Sequence, residues 1–392
     1  MGVIKGTSVI TGVIPFTELY ERLLNLGRID SPNNSDFAKG IINDSYTRTL
    51  PRVEDWSVII TDDNLKMVAA YNTGTVSVTV GSTALVGVGT TFTATMTAAN
   101  GYKIKISGAR DIYKFTYASA TTATISPSLS SGANITNASF EVFKDEYDLS
   151  ADFDRFLKNG SVYVYSDGRI QDVIKEVPRD VFQEEFASGR QDPIHRIIQT
   201  RVNAATGRKM VRVNPWPATT YNYPYEYIKK LSPMSEYRAG TVAVTNASAV
   251  VTGTDTFFLS NVSVGDYFRA DGNGIADSSI WYKILSIASN TQLTLETVYG
   301  EASEVALIYT VSQSPREFPT EFHEFILYDG LVVVTGEQGD TNTVGFSVRR
   351  ETILQDLKKN YKSRRTNTQY RVGDDGIRSG QYDRDDDVSY RR

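Results

Sequence analysis

The feature that most constrains this chain is a sentence written twice. Gly74–Phe92 reads GTVSVTVGSTALVGVGTTF and Gly240–Phe258 reads GTVAVTNASAVVTGTDTFF. Val76, Val78 and Val80 alternate with small polar residues, as a half-buried strand requires. The parallel continues downstream. GYKIKISGARDIYKFTYASATTATIS is answered by GDYFRADGNGIADSSIWYKILSIASNTQLTLE, with a few loop residues added in the second copy. Short alternating strands between Gly, Asn and Ser clusters predict a small β-sandwich, over 73–145 and again over 239–312. Two copies are too few for a solenoid, so they read as separate modules.

The remaining segments differ in period. Thr17–Leu26 places Leu19, Tyr20, Leu23 and Leu24 on one side, and Gly27 is read as a left-handed helix end. Ser35 is read as the N-cap of a second helix through about Thr49, closed by Pro51. Helical spacing returns over Thr320–Thr335 and over Thr343–Tyr361, where Ile353, Leu354, Leu357 and Tyr361 share a face. Neither terminal pair can bury its apolar face alone, so the two are expected to pack on each other. The expected fold is multidomain α and β. A discontinuous helical bundle is built from 1–72 and 313–365. A central β-rich domain over 146–238, with one short helix near Arg179–Ala187, lies between the two repeated modules. Residues 366–392 are expected to form an extended charged tail.

Composition excludes several chemistries. With 41 Lys+Arg against 46 Asp+Glu the formal net charge is −5, which argues against a protein that coats duplex nucleic acid. There is no cysteine, hence no disulfide, thiolate metal site or cysteine nucleophile. The first residues lack the apolar core of a secretory signal, and no apolar run is long enough to cross a bilayer.

His195 and His323 are the only histidines, and they fall in different predicted domains, which leaves a triad or a multi-histidine metal site little to work with. A structural or surface role is expected for His323. Asp145, Glu146, Asp148, Asp152 and Asp154 cluster; a solvated loop is the reading preferred over a glycosidase pair or a calcium site. DGNGIAD at 271–277 opens like a calcium loop, but its twelfth position is Tyr282, so it reads as a hairpin tip. GVGTTF lacks the Lys-Ser/Thr of a P-loop. Trp216, Tyr221, Tyr223, Tyr225 and Tyr227 form an aromatic stretch that suits a core, a subunit interface or a sugar platform. Lys358, Lys359, Lys362, Arg364 and Arg365 crowd the last helix end, either complementing its dipole or facing a partner. No catalytic, metal or cofactor site is expected.

The order of segments resembles the head-to-tail adaptor, or neck, proteins of tailed bacteriophages. The resemblance rests on IINDSYTRTLPRVEDW near the start, on EYDLSADFDRFL and GRKMVRVNPWPATTYNYPYEYIKKLSP in the middle, and on PREFPTEFHEFILYDGL, GEQGD and ETILQDLKKNYKSRR near the end. The repeated modules resemble the immunoglobulin-like decorations of phage structural proteins. The resemblance implies a non-enzymatic virion protein, assembled in the host cytoplasm into a ring, often twelve-fold, between portal and tail. Genomic DNA passes through without specific binding. It also implies a C-terminal arm that orders on the portal or on neighbouring subunits, through Lys358, Lys359, Lys362, Arg364, Arg365, Tyr370, Arg371, Tyr382, Arg384 and Tyr390. Tail or nozzle proteins are the other expected partners. The competing expectation is a tail-associated receptor- or carbohydrate-binding protein, motivated by the β-modules and the tyrosine stretch.

Overall fold

The structure is a computed structural model. It describes residues 12–362 except 30, 131, 158–161, 167–168, 175, 188–195, 204–205 and 272–279. It mixes helix with several antiparallel β-sheets, and its buried apolar residues fall into four clusters.

One cluster belongs to the helices. Leu19, Leu23, Ile42 and Trp56 from the first sixty residues pack with Phe322, Ile326, Leu331, Leu354 and Leu357. The contributing helices are Phe16–Leu26, Ser31–Asp44, Glu321–Gln338 and Thr343–Tyr361. Apolar side chains at helical spacing put one stripe of each helix into this shared core. The second helix starts four residues before Ser35, so Ser35 is no cap. Nor does Pro51 end it: the chain passes through a π-turn at Ser45–Thr49 and continues as Leu50–Val53. Proline lacks an N–H and its ring crowds the carbonyl four residues back, and a widened turn before it relieves that clash. Gly27 is also not left-handed. Its φ is −77°, and Arg28 takes the positive φ instead. A side chain at Gly27 would meet Leu23 O at 2.8 Å and Val334 Cγ1 at 3.2 Å. The glycine serves close packing between the two ends of the chain.

The central region holds a five-stranded and a three-stranded sheet whose faces share one apolar cluster. Ile60–Met67 pairs over its whole length with Tyr221–Lys229, so 60–67 belong to this sheet rather than to the helical part. Lys209–Asn214 pairs with both Arg196–Val202 and Glu146–Asp148.

The two remaining sheets have seven strands each and follow the same path. In the second copy, Glu304–Ser312 pairs with Thr241–Val244 at one end of the path and with Tyr267–Asp271 at the other, closing a barrel. In the first copy the same task is divided between Ile135–Ala138 and Phe140–Lys144, which are separated by Ser139 alone. The expected β-sandwiches are corrected accordingly. An immunoglobulin-type sandwich stacks two separate sheets, whereas here the ladder is continuous. A bulge lets the last strand bend across. The register shifts between Val76 and Val78, and between Val242 and Val244. Asn137 and Ala306 hold positive φ at the corresponding points.

The likeness extends to single atoms. Gly74 and Gly240 have φ of +92° and +81°, and a Cβ at either would lie within 2.5 Å of a carbonyl oxygen, Val88 O or Thr254 O. Thr90 Oγ1 donates to Ala120 O and Thr256 Oγ1 to Asn290 O. The Tyr71 and Tyr237 hydroxyls accept the N–H groups of Thr91 and Phe257, each at 2.7 Å.

Candidate functional site

The basic cluster at the end of Thr343–Tyr361 was the sequence's main candidate, and the structure divides it. Lys362 reaches Glu54 Oε2 at 3.3 Å and forms a backbone bridge with Trp56. Ser57 Oγ donates to Tyr361 O at 3.1 Å. Trp56 is fully buried, its Nε1 donates to Leu50 O, and its ring meets Phe322 edge-on at 5.1 Å. The last described residues are therefore tied into the helical core. Lys359 pairs with Asp356 at 3.1 Å, and Lys358 is half-buried one turn before Lys362. Arg364, Arg365, Tyr370, Arg371, Tyr382, Arg384 and Tyr390 lie outside the described residues, as does His195.

His323 is buried and serves the fold. Its Nδ1 accepts the Ile14 N–H at 3.0 Å. Burial pushes its pKa down to about 4, so the ring is neutral at physiological pH, as the acceptor role requires.

The clustered carboxylates do not converge, and the solvated-loop reading fails for Asp145. That residue is fully buried between Lys103 Nζ at 2.7 Å and Arg212 Nε at 2.8 Å, joining the first barrel to the central sheets. Asp148 accepts from Asn203, Asp154 lies near Lys209, and Asp152 accepts the Tyr227 hydroxyl at 2.6 Å. For Asp152, burial acts to raise the pKa, but hydrogen bonds from Tyr227 and Ser150 outweigh it and hold the group below its ordinary value. Asp145 and Glu146 share Lys103, and Asp148, Asp152 and Asp154 are engaged by other partners. Among the described residues no group of three or more His, Asp or Glu side chains could hold a metal ion. No described helix is long and apolar enough to cross a membrane.

The tyrosine strand packs inward. Tyr223, Tyr225 and Tyr227 are buried in the central core with Phe153 and Phe156. The Tyr225 hydroxyl accepts Ser150 N–H at 2.9 Å and donates to Asp63 Oδ2 at 3.2 Å. Burial raises the pKa of all three phenols. They offer no exposed platform.

Sequence reasoning missed the polar joints that bind the parts together. Glu236 collects Thr17 Oγ1 at 2.8 Å, the Tyr20 hydroxyl at 2.9 Å, Lys39 at 3.0 Å and Arg238 at 3.1 Å. Burial acts to raise its pKa, but the Lys39, Thr17 and Tyr20 bonds and the Arg238 charge prevail and lower it. Arg269 grips Glu21 through two bonds and stacks 4.6 Å from the Trp281 ring centroid, tying the second barrel to the first helix. Arg316 pairs with the buried Asp266. No local pattern marks a lone Glu236 or Arg269, because their partners lie up to 248 residues away.

Compared with known families, with curated proteins and with solved structures, the chain finds no match.

Proposed function

We propose that this chain is a structural subunit of a tailed-phage virion, a head-to-tail adaptor that forms a ring joining portal to tail and letting DNA pass. The observation that carries this reading is the single apolar core that gathers residues 14–59 and 318–357, together with Leu157, Ile228, Leu231 and Met234, around the base of the C-terminal segment. In this reading the core is a split helical domain, with the central domain and two repeated modules inserted between its halves. An arm that begins at Lys362 is then rooted in rigid structure. It can order on the portal without disturbing the body that presents it. The site geometry supports a non-catalytic role: His323 is an internal acceptor and the acidic residues are engaged in joints. The carbohydrate-binding reading loses one of its two motives, because Tyr223, Tyr225 and Tyr227 are buried.

Labelling virions with an antibody to this chain tests the reading. Signal at the neck, together with a ring that copurifies with the portal, is the expected result. Signal at the tail tip overturns it.

A further inference from the structure

The two barrels share a strand path but not a surface. Over residues 73–145 the first carries five Lys and Arg against three Asp and Glu, whereas over 239–312 the second carries two against seven. The first barrel gathers four of its five cations on one hairpin, where Asp111 stands beside Arg110. Lys103 stands opposite Lys114, and Arg110 lies in the turn between the strands. Lys103 is taken by Asp145 and Glu146, and Lys105 lies over the Trp216 ring. Arg110 and Lys114 are exposed, and among the described residues neither makes an ion pair. The ladder leads from Lys114 to Ser126, from Thr116 to Thr124 and from Thr124 to Ala84, ending at the exposed Val86 and Val88.

The second barrel has Thr252 and Thr254 where the first has Val86 and Val88. Its exposed apolar groups lie elsewhere: Phe257, Leu259, Val264, Leu285 and Ile308 are scattered over the barrel, and three valines gather at one end. Tyr299 N–H bonds Ser248 O, and Asn246 N–H bonds Ser303 Oγ. These bonds lay the segment 296–305 along the loop before Val250. Val250, Val298 and the 80% exposed Val305 thus share one end of the barrel with Glu304, which pairs across from Val244. The first barrel has Ile135 at the position of Glu304. No hydrogen bond or ion pair joins the two barrels within the chain among the described residues.

We propose that the basic hairpin face of the first barrel docks on the valine-bearing end of the second barrel, beside Glu304, in a neighbouring copy of this chain. Arg110 and Lys114 on one face and Glu304 on the other favour this pairing over like with like, since like charges repel. The two faces differ, so the contact is heterologous. Every copy uses both faces, and the pattern repeats head to tail. This rests on the ring reading above and deepens it by naming the surfaces that neighbours share.

The absence of cysteine makes cross-linking clean. Thr124→Cys lies on the first face and Ala302→Cys on the second, both at exposed positions. Full-length chain carrying both is oxidised mildly, alone and after coexpression with the portal. The expected result is a ladder of disulfide-linked copies for the double variant, none for either single variant alone, and dimers only when the two single variants are mixed. Adding Lys114→Glu to the double variant suppresses the ladder, and Glu304→Lys beside it restores the ladder. Single variants that dimerise with themselves as readily as with each other overturn the proposal. So does the lack of a ladder in both preparations. If rings with the portal still form in that case, only the contact is wrong. If no ring forms, the adaptor reading fails with it.

Discussion

His323 shows how one buried ring sets a pH limit on the fold. Its folded pKa is about 4, depressed by burial, against about 6.5 in the unfolded chain. Between those values the unfolded chain binds the proton and the folded one does not. The contribution is therefore fully present above pH 6.5 and is lost as pH falls to 4, with about 3 kcal/mol at stake. Urea unfolding of the wild type and of His323→Gln at pH 7.5 and pH 5 measures it. The wild type is expected to weaken more on acidification than the variant, and equal slopes refute the assignment. Gly74 and Gly240 make a second claim at this scale, because the backbone there is left-handed and a carbonyl oxygen occupies the space of a Cβ. Alanine at either is expected to cost about 2–4 kcal/mol. Thermal melting monitored by the near-ultraviolet signal checks this. A change under about 0.5 kcal/mol at both positions defeats the idea that the repeat imposes the same strained turn twice.

The tyrosine strand is decided by what its phenols touch. Tyr225→Ala removes a large buried ring and leaves Ser150 N–H and Asp63 without that partner. It is expected to destabilise by about 3–5 kcal/mol, and Tyr225→Phe by about 1–2 kcal/mol. Chemical denaturation reads both, and loss of glycan binding with unchanged stability would instead restore the platform reading. The sequence displayed alternation here clearly, since period two survives any choice of partner. What it hid was which side of the strand faces the core. The tyrosines share one face and Asn222, Pro224, Glu226 and Ile228 the other, and whether the tyrosine face meets core or solvent depends on strands from far along the chain. The barrels teach the same lesson. Val76 and Val78 announce a strand, but closure depends on a bulge at Asn137 and Ala306, neither of which is a glycine. Local pattern specifies strands, and long-range pairing decides whether they stack or curl. Around Trp56 and SVII the sequence suggests only a short strand or extended link, because TDDN in the middle of Ile60–Met67 breaks the apolar alternation while the backbone ladder to Tyr221–Lys229 runs on unbroken.

Across the whole molecule, charged joints among the described residues hold the parts together, among them Asp145 with Lys103 and Arg212, Glu236 with Lys39 and Arg238, Arg269 with Glu21, and Asp266 with Arg316. Each has a buried or half-buried member, so breaking one side leaves a charge without its partner in low dielectric. In the proposed adaptor reading, such joints suit a part whose pieces must keep their angles under load, and residues 363–392 are the segment proposed to order on assembly. Lys362 marks the division, since it pairs with Glu54 and bridges Trp56. A chain ended after Lys362 keeps every described contact of the helical core. It is therefore expected to melt at the same temperature as the full chain. If residues 363–392 are the arm that orders on the portal, the same truncation weakens portal capture by ~100-fold or more, equivalent to about 3 kcal/mol of binding. Calorimetry and a quantitative pull-down on one preparation read both quantities. Undiminished capture by the truncated chain removes the arm from the mechanism. A fall in melting temperature alongside the loss assigns the segment to the folded body instead.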